Sequence, residues 1–203
     1  MLERIAYVTG THGSGKSTFI SAMAGQYPLL CDQVERIPIP KSEVMDERWR
    51  IKSARYLLQA FNDRDWELAH PGKIGFRDRC ILDNFGYMQG FLELGKVEDG
   101  WVTPAQYKEF EESTKILFPS EFMPKNVIFV DAPFDFCVGN IKSRWAVTGV
   151  KKWREDKFYY LDAVRVAFQK FFATYPGNVL RLQATDLEER LGLAKGWIES
   201  TML

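Results

Sequence analysis

The most informative stretch of this sequence is Gly10-Thr11-His12-Gly13-Ser14-Gly15-Lys16-Ser17. It matches the pattern G-x-x-x-x-G-K-[ST], whose glycines let main-chain N–H groups turn inward around an anion. A short β-rich run at residues 4–9 precedes it, and apolar residues at helical spacing over 19–24 follow it. A strand, a glycine-rich loop and a helix in this order predict a phosphate-binding loop, here called the P-loop (residues 10–17).

Two side chains of the P-loop carry its expected chemistry. Lys16 can reach the β- and γ-phosphates of a nucleoside triphosphate, and the Ser17 hydroxyl can complete the coordination of Mg²⁺. The pattern therefore predicts ATP, or another nucleoside triphosphate, together with Mg²⁺. We expect His12 to contribute only its main chain, with its ring directed away from the phosphates. The predicted nucleotide-binding residues are Gly10, Thr11, His12, Gly13, Ser14, Gly15, Lys16, Ser17 and Thr18.

Short apolar runs alternate with helical patterns along the chain. The predicted strands are 4–9, 27–31, 73–76, 126–131 and 178–182, and the predicted helices after the first are about 42–69, 81–95, 104–118, 133–145, 156–174 and 186–199. Such alternation predicts a parallel sheet with helices on both faces. We expect an α/β fold with three layers and a five-stranded sheet, in one domain over residues 1–203. The strand order does not follow from the pattern.

Composition and charge narrow the classes of function. Hydrophobic residues make up 46% of the chain, enough for a sizeable core, which excludes a largely disordered protein. Lys plus Arg and Asp plus Glu both total 27, so a general basic field for nucleic acid is absent. The sequence has no apolar run of about 18 residues, and we therefore expect no membrane partner and a cytoplasmic protein.

Missing motifs narrow the function further. No N-K-x-D segment reads a guanine base, as a GTPase would require, and Asp131 is followed by Ala132 and Pro133 instead of a second acid. The chain is also short for a motor ATPase. These features favour a kinase that acts on a small substrate.

One segment resembles two known families of kinases. Asp78 and Arg79 directly follow the predicted third strand, with Asp83 and Tyr-Met-Gln-Gly at 87–90 close behind. This arrangement resembles the D-R-Y…S…A-Y-Q-G stretch of thymidylate kinases and is similar to the E-R-S segment of deoxynucleoside kinases. The resemblance implies a P-loop NTPase fold, use of ATP and Mg²⁺, and phosphoryl transfer to a nucleoside or nucleoside monophosphate, of deoxy-pyrimidine type.

The second half of the chain extends the resemblance. Residues 126–144 are similar to the L-D-x-P…R-I-x-x-R stretch of these kinases. Arg154 and Glu155 before an aromatic run resemble the end of their lid, which implies a helical lid at about 144–156. By this resemblance Arg144 and Arg154 neutralise charge on the transferred phosphoryl group when the lid closes.

The same comparison suggests roles at the ends of two strands. Asp78 would hold Mg²⁺ through water, beside Ser17, or orient the acceptor oxygen, and Arg79 would bridge the acceptor and the transferred group. A carboxylate near the end of the second strand would accept the proton of an acceptor hydroxyl. Asp32 and Glu35 both qualify, and the sequence does not separate them. The R-E-P-G and E-P-V segments of the relatives are absent there.

Three alternatives stay open. The region from Trp145 to Trp153 interleaves aromatic residues with Lys151, Lys152 and Arg154, a composition suited to DNA, so the acceptor could be 5-hydroxymethyluracil within DNA. A kinase of nicotinamide riboside or of another small molecule has the same loop. A non-enzymatic nucleotide-binding module would bind ATP without transfer. Relatives often dimerise, but nothing in the sequence identifies a homodimer interface.

Overall fold

The computed structural model describes residues 3–28, 30–35, 45–151 and 154–203. The strands are β1 (Ile5–Thr9), β2 (Cys31–Gln33), β3 (Ile74–Asp78), β4 (Asn126–Val130) and β5 (Asn178–Leu182). The helices are α1 (Lys16–Gln26), α2 (Met45–Ala69), α3 (Ile81–Gly95), α4 (Pro104–Leu117), α5 (Phe134–Thr148), α6 (Phe158–Phe172) and α7 (Leu187–Thr201), with a 3-10 turn at Ser120–Phe122. The start of the helix predicted at 42–69, up to residue 44, and the lid residues Lys152 and Trp153 lie outside the described residues.

The five strands form one parallel sheet in the order β2-β3-β1-β4-β5, which confirms the predicted sheet and supplies its missing order. Val8 of β1 is level with Asp78 of β3 and with Ile128 of β4. Because the strands are parallel, all of their carboxyl ends lie at one edge. The P-loop therefore leaves β1 between the ends of β3 and β4.

Side chains of β1 alternate between two cores. Ile5 and Tyr7 join the cluster that contains residues of α2, α3 and α6, whereas Ala6 and Val8 join the cluster that contains residues of α1 and α7. This period of two is the expected pleat of a strand that is buried on both faces. The prediction of three layers is confirmed.

The second strand lies later in the chain than predicted. Tyr27 ends α1, since its N–H binds the Met23 carbonyl, and the N–H groups of Leu30 and Cys31 bind the Tyr27 carbonyl. The chain thus turns between Tyr27 and Leu30, and the residue pairs of β2 with β3 begin at Cys31. Tyr27 and Leu30 pack on the core cluster that contains α1, a role that their apolar pattern alone does not distinguish from that of a strand.

Two other helix ends bear on the site. Asp83 caps the start of α3, where its Oδ2 accepts the Cys80 N–H at 2.9 Å. Helix α5 continues three residues past its predicted end to Thr148, and Gly149 ends it with φ 66°. The first part of the predicted lid is therefore the last turn of α5. Within the described residues, none of the helices has the length and apolar character needed to span a bilayer.

Candidate active site

The P-loop is packed so closely that only glycine fits at its bends. Gly13 has φ 77°, and a Cβ there would overlap the Cys137 carbonyl in α5. At Gly10 (φ 139°) a Cβ would lie 2.5 Å from the Val130 carbonyl at the end of β4. A left-handed or unusual backbone is cheap only for glycine, so the sequence pattern and this packing agree.

Lys16 lies folded inside the loop. Its Nζ donates to the carbonyls of Gly10 (2.9 Å) and Thr11 (2.6 Å) and to Ser14 Oγ (3.3 Å), and the residue is 6% exposed. Burial lowers the pKa of Lys16 to about 7, with the Arg79 charge acting in the same direction and Asp78 opposing it. An ammonium held by carbonyl groups is therefore close to losing its proton, and phosphate oxygens would favour its charged form.

Distant elements brace the loop. Arg190 of α7, 2% exposed, donates from Nη1 to the Ser14 carbonyl at 2.9 Å and from Nε to the Ala184 carbonyl at 2.6 Å. Asn140 of α5 donates to the Gly13 carbonyl at 2.8 Å. Sequence reasoning missed both residues. The N-terminal position of Arg190 in a helix with four other charged residues gave no signal of its role.

The arrangement fits a triphosphate with Mg²⁺. The glycine-rich loop leads into the N-terminus of α1, where main-chain N–H groups can bind an anion. Ser17 and Thr18 in the first turn of this helix are exposed. Among the described residues no cluster of three His, Cys, Asp or Glu could hold a metal by itself. Mg²⁺ does not require such a cluster, because it usually takes few protein ligands and keeps phosphate oxygens and waters.

Asp78 and Arg79 lie beside this loop, at the end of β3. The Arg79 N–H binds the Val8 carbonyl at 3.0 Å, which ties the pair to β1. Arg79 has φ 70°, a left-handed conformation that costs free energy outside glycine. Its Nη1 donates to Asp83 Oδ1 at 2.8 Å and to the Tyr87 hydroxyl at 3.2 Å. The guanidinium is thus fixed over the start of α3, facing the carboxyl edge of the sheet.

The two acceptor-side carboxylates differ in position. Asp32 is level with Gly75 and forms an ion pair with Lys73 (3.6 Å), which precedes β3 at the opposite end from Asp78. Asp32 therefore lies further from the carboxyl edge than Glu35, so the register favours Glu35, and the role of Asp32 as the base stays a prediction. Glu35 follows the end of β2 at the correct edge and is exposed, with its carbonyl bound by Arg77.

Glu155 connects the lid to the P-loop. It is 0% exposed, and its Oε1 lies 3.1 Å from His12 Nδ1. Arg144 donates to Oε2, and the Trp145 indole N–H lies 3.4 Å from the same oxygen. Burial lowers the pKa of His12 to about 4, so its ring is neutral near pH 7. The expectation that only the main chain of His12 matters is incomplete, because its ring bonds to the lid.

Arg154 has a different environment from Arg144. Its guanidinium lies 3.9 Å from the centre of the Trp101 ring, in the loop between α3 and α4. Arg144 thus contacts Glu155, whereas Arg154 stacks on Trp101. The resemblance to known kinases had implied the same role for both arginines.

A small cavity lies between α2 and the end of β3. Its lining is Tyr7, Tyr56, Gln59, Ala60, Asp63, Cys80, Ile81, Phe118 and Phe122. Gln59 donates from Nε2 to the Arg79 carbonyl at 2.9 Å. Trp49, Tyr56 and Phe61 all lie on α2, and of these Tyr56 alone lines this cavity. Trp49 packs on Phe110 in the core, and the Phe61 ring is 41% exposed.

Comparison with known proteins identifies the architecture. No protein-family model matches the chain, and no curated protein matches it by sequence. Solved structures do match. Deoxyadenosine kinase from M. mycoides with bound dATP superposes with a TM-score of 0.66 at 14% identity, covering 96% of this chain and 99% of that one. This chain has the fold of the deoxyadenosine kinases.

Two further structures of that kinase agree. With the products dCMP and a flexible dCDP bound, the TM-score is 0.67 at 13% identity, with 97% and 99% of the two chains covered. With dCTP bound, it is 0.63 at 16% identity, with 97% and 98% covered. The P-loop kinase fold that the sequence resemblance implied is confirmed.

Proposed function

We propose that this protein is an ATP-dependent kinase that phosphorylates a deoxynucleoside or its monophosphate. The observation that carries the proposal is the meeting of a complete P-loop with Asp78 and Arg79 at the end of the adjacent strand β3. The deoxyadenosine kinase neighbours support a nucleoside-type acceptor. The resemblance to thymidylate kinases favours a deoxy-pyrimidine, and the neighbours' dATP and dCTP ligands make both base classes worth testing.

The donor half of the reaction rests on positioning and charge. The P-loop N–H groups and Lys16 would hold the β- and γ-phosphates, and Ser17 with Asp78 would hold Mg²⁺. Mg²⁺, when bound, neutralises part of the charge on the transferred group. Arg144, which is paired with Glu155, would neutralise charge on the transferred phosphoryl group when the lid closes. Exclusion of water by the lid would suppress hydrolysis of ATP.

The acceptor half uses the ends of β2 and β3. Arg79 would bridge the acceptor oxygen and the transferred phosphoryl group, since Asp83 and Tyr87 hold its guanidinium still. Glu35 would accept the proton of an acceptor hydroxyl. If the acceptor is already a monophosphate, no base is needed, and Glu35 would bind the sugar or the base instead.

The test is transfer of label from γ-labelled ATP to a panel of acceptors. The panel holds deoxyadenosine, deoxycytidine, thymidine, their monophosphates, nicotinamide riboside, and duplex DNA with and without 5-hydroxymethyluracil. We expect label on a deoxynucleoside or its monophosphate. Lys16→Ala should lower the rate about 100- to 1000-fold, the usual cost of one preorganised charge donor, while Lys108→Ala on the exposed face of α4 should not.

Other patterns of label would replace the proposal. Label on nicotinamide riboside alone would identify a different small-molecule kinase. ATP that binds but labels nothing in the panel would favour a nucleotide-binding module. Equal rates for wild type and Lys16→Ala would remove the assigned donor site.

A second candidate is a kinase of 5-hydroxymethyluracil in DNA, favoured by the basic and aromatic face of the lid. Lys151 lies 4.9 Å from the Trp145 ring centre, and Lys142 lies 5.3 Å from that of Phe158. Label on hydroxymethylated DNA alone, with affinity that falls steeply as salt rises, would support this candidate. Lys142→Ala with Lys151→Ala should weaken DNA binding only in that case.

A further inference from the structure

A fully buried charge network lies beneath the acceptor side of the site. Arg77 of β3 and Asp63 of α2 are both 0% exposed, and Tyr7 of β1 is 2% exposed. Arg77 donates from Nε to Asp63 Oδ1 at 2.7 Å, and its Nη2 contacts the same oxygen. The Tyr7 hydroxyl donates to Asp63 Oδ2 at 2.9 Å. Both carboxylate oxygens of Asp63 therefore accept hydrogen bonds within the network.

The remaining donor of Arg77 binds main chain. Its Nη1 donates to the Val34 carbonyl at 3.2 Å and also to the Glu35 carbonyl. The main-chain ladder between β2 and β3 ends just before, with the Val34 N–H on the Phe76 carbonyl at 3.0 Å. The side chain of Arg77 therefore binds the carbonyls of Val34 and Glu35 at the point where the main-chain pairing of β2 with β3 ends.

Helix α2 forms hydrogen bonds with both sequence neighbours of Asp78, which are Arg77 and Arg79. Asp63 binds the side chain of Arg77, and Gln59, one turn earlier on the same face of α2, binds the carbonyl of Arg79 at 2.9 Å. Asp78 thus lies between two residues that α2 fixes. One helix sets the position of Asp78 and, through Arg77, that of Glu35.

Stability alone does not account for such a network. Burying an ion pair costs desolvation, and replacement of the whole set by apolar residues of similar volume is often neutral or stabilising. Only arginine has a planar fork that can bind a carboxylate on one side and two carbonyls on the other. A lysine could keep the charge but could not make all of these contacts.

We infer that Arg77, held by Asp63 and Tyr7, is a positioning residue for the phosphoacceptor. It fixes the exit of β2, and with it Glu35, against the end of β3 beside Asp78. The inference rests on the proposed function. It predicts that loss of the network weakens use of the acceptor more than use of ATP, since the described contacts of Arg77 hold residues 34 and 35 and do not reach the P-loop.

The test compares the wild type with a triple variant, Tyr7→Phe, Asp63→Leu and Arg77→Met, which leaves no orphaned buried charge. Arg77→Lys is the second variant, in case the triple variant does not fold. Arg50→Ala with Glu109→Ala removes an exposed ion pair between α2 and α4 and is the matched control. For each protein the KM of ATP, the KM of the acceptor found in the panel, and amide exchange over residues 31–35 are measured.

We expect the acceptor KM to rise about 10- to 100-fold, the scale of a misplacement near 1 Å. The ATP KM should stay within about twofold, and exchange at residues 34–35 should become about tenfold faster. Unchanged exchange, or an unchanged acceptor KM, would overturn the inference. An equal rise of both KM values would also overturn it, since it would indicate general disruption.

Failure of the proposed function has a separate signature. A wild-type protein that labels no acceptor removes the proposed function, and the role of Arg77 falls with it. An active wild type whose folded variants keep the acceptor KM contradicts the inference alone.

Discussion

The donor side and the acceptor side of the site are built in different ways. The donor side, defined as the P-loop with Asn140 and Arg190, is one contiguous loop whose carbonyls are held from α5 and α7. The acceptor side, defined as the exit of β2, the end of β3 and the facing side of α2, is assembled from three separate segments. One sequence motif specifies the loop of the donor side, whereas a buried network of side chains holds the segments of the acceptor side together.

The difference indicates where specificity can vary. A phosphate cradle works with any nucleoside triphosphate, because main-chain N–H groups read charge and not the base. The edge strand β2 pairs with a single neighbour, β3, so small changes there can alter the acceptor without disturbing the cradle. The predictions below test this division, starting from the residue that lies between the two sides.

Asp78 borders both sides, so its loss should have the largest effect. Asp78→Asn keeps the shape but removes the charge that would hold Mg²⁺ or orient the acceptor, and we expect turnover to fall about 100- to 1000-fold. Asp162→Asn, on an exposed ion pair of α6, is the control. Steady-state kinetics with the identified acceptor measure both. Turnover near that of the wild type would make Asp78 structural.

The second-largest effect should distinguish Glu35 from Asp32, the two carboxylates around β2. Glu35→Gln should slow transfer to a hydroxyl acceptor about 100-fold, since a general base contributes at least that much. It should leave transfer to a monophosphate acceptor nearly unchanged. Asp32→Asn, which breaks only an exposed pair with Lys73, should alter neither rate. A larger loss for Asp32→Asn than for Glu35→Gln would reverse the assignment made from the strand register.

The smallest expected effect is the uptake of a fraction of a proton by Lys16 when ATP binds. With a pKa of about 7, Lys16 is about half protonated at pH 7 in the free protein. Phosphate oxygens raise that pKa, so ATP binding should take up about half a proton at pH 7. Uptake should vanish below about pH 5, where Lys16 is already charged. Titration calorimetry in buffers of different ionisation enthalpy measures it, with Lys16→Met as the reference.

A Lys16→Met protein that takes up as many protons as the wild type would assign the uptake to another group. His12 is not a candidate near pH 7, because its pKa of about 4 leaves it neutral there. The comparison of the two proteins therefore isolates Lys16.

The donor side could be predicted from sequence because its information is local. Eight consecutive residues specify the loop, and the apolar runs on either side specify its strand and helix. Strand β4 and the capped start of α4 at Thr103 were predictable for the same reason. Arg190 was not, since it lies 176 residues from Ser14, whose carbonyl it binds.

The acceptor side depends on contacts that no local pattern shows. Arg77 lies in β3 but just beyond the strand predicted at 73–76, so its burial could not be read from the pattern. Its partner Asp63 is on a helix in which buried and exposed charged residues are mixed, so periodicity did not mark it as buried. Asp32 and Glu35 could be separated only by the register of β2 on β3.

The most direct test of this account is ATP binding without any acceptor. If the P-loop is a complete donor site, the wild type should bind ATP with Mg²⁺ in titration calorimetry. Lys16→Ala should then bind about 10- to 100-fold more weakly, the value of one charge-assisted contact to phosphate. Equal affinity in the two proteins, or no binding by the wild type, would contradict the account.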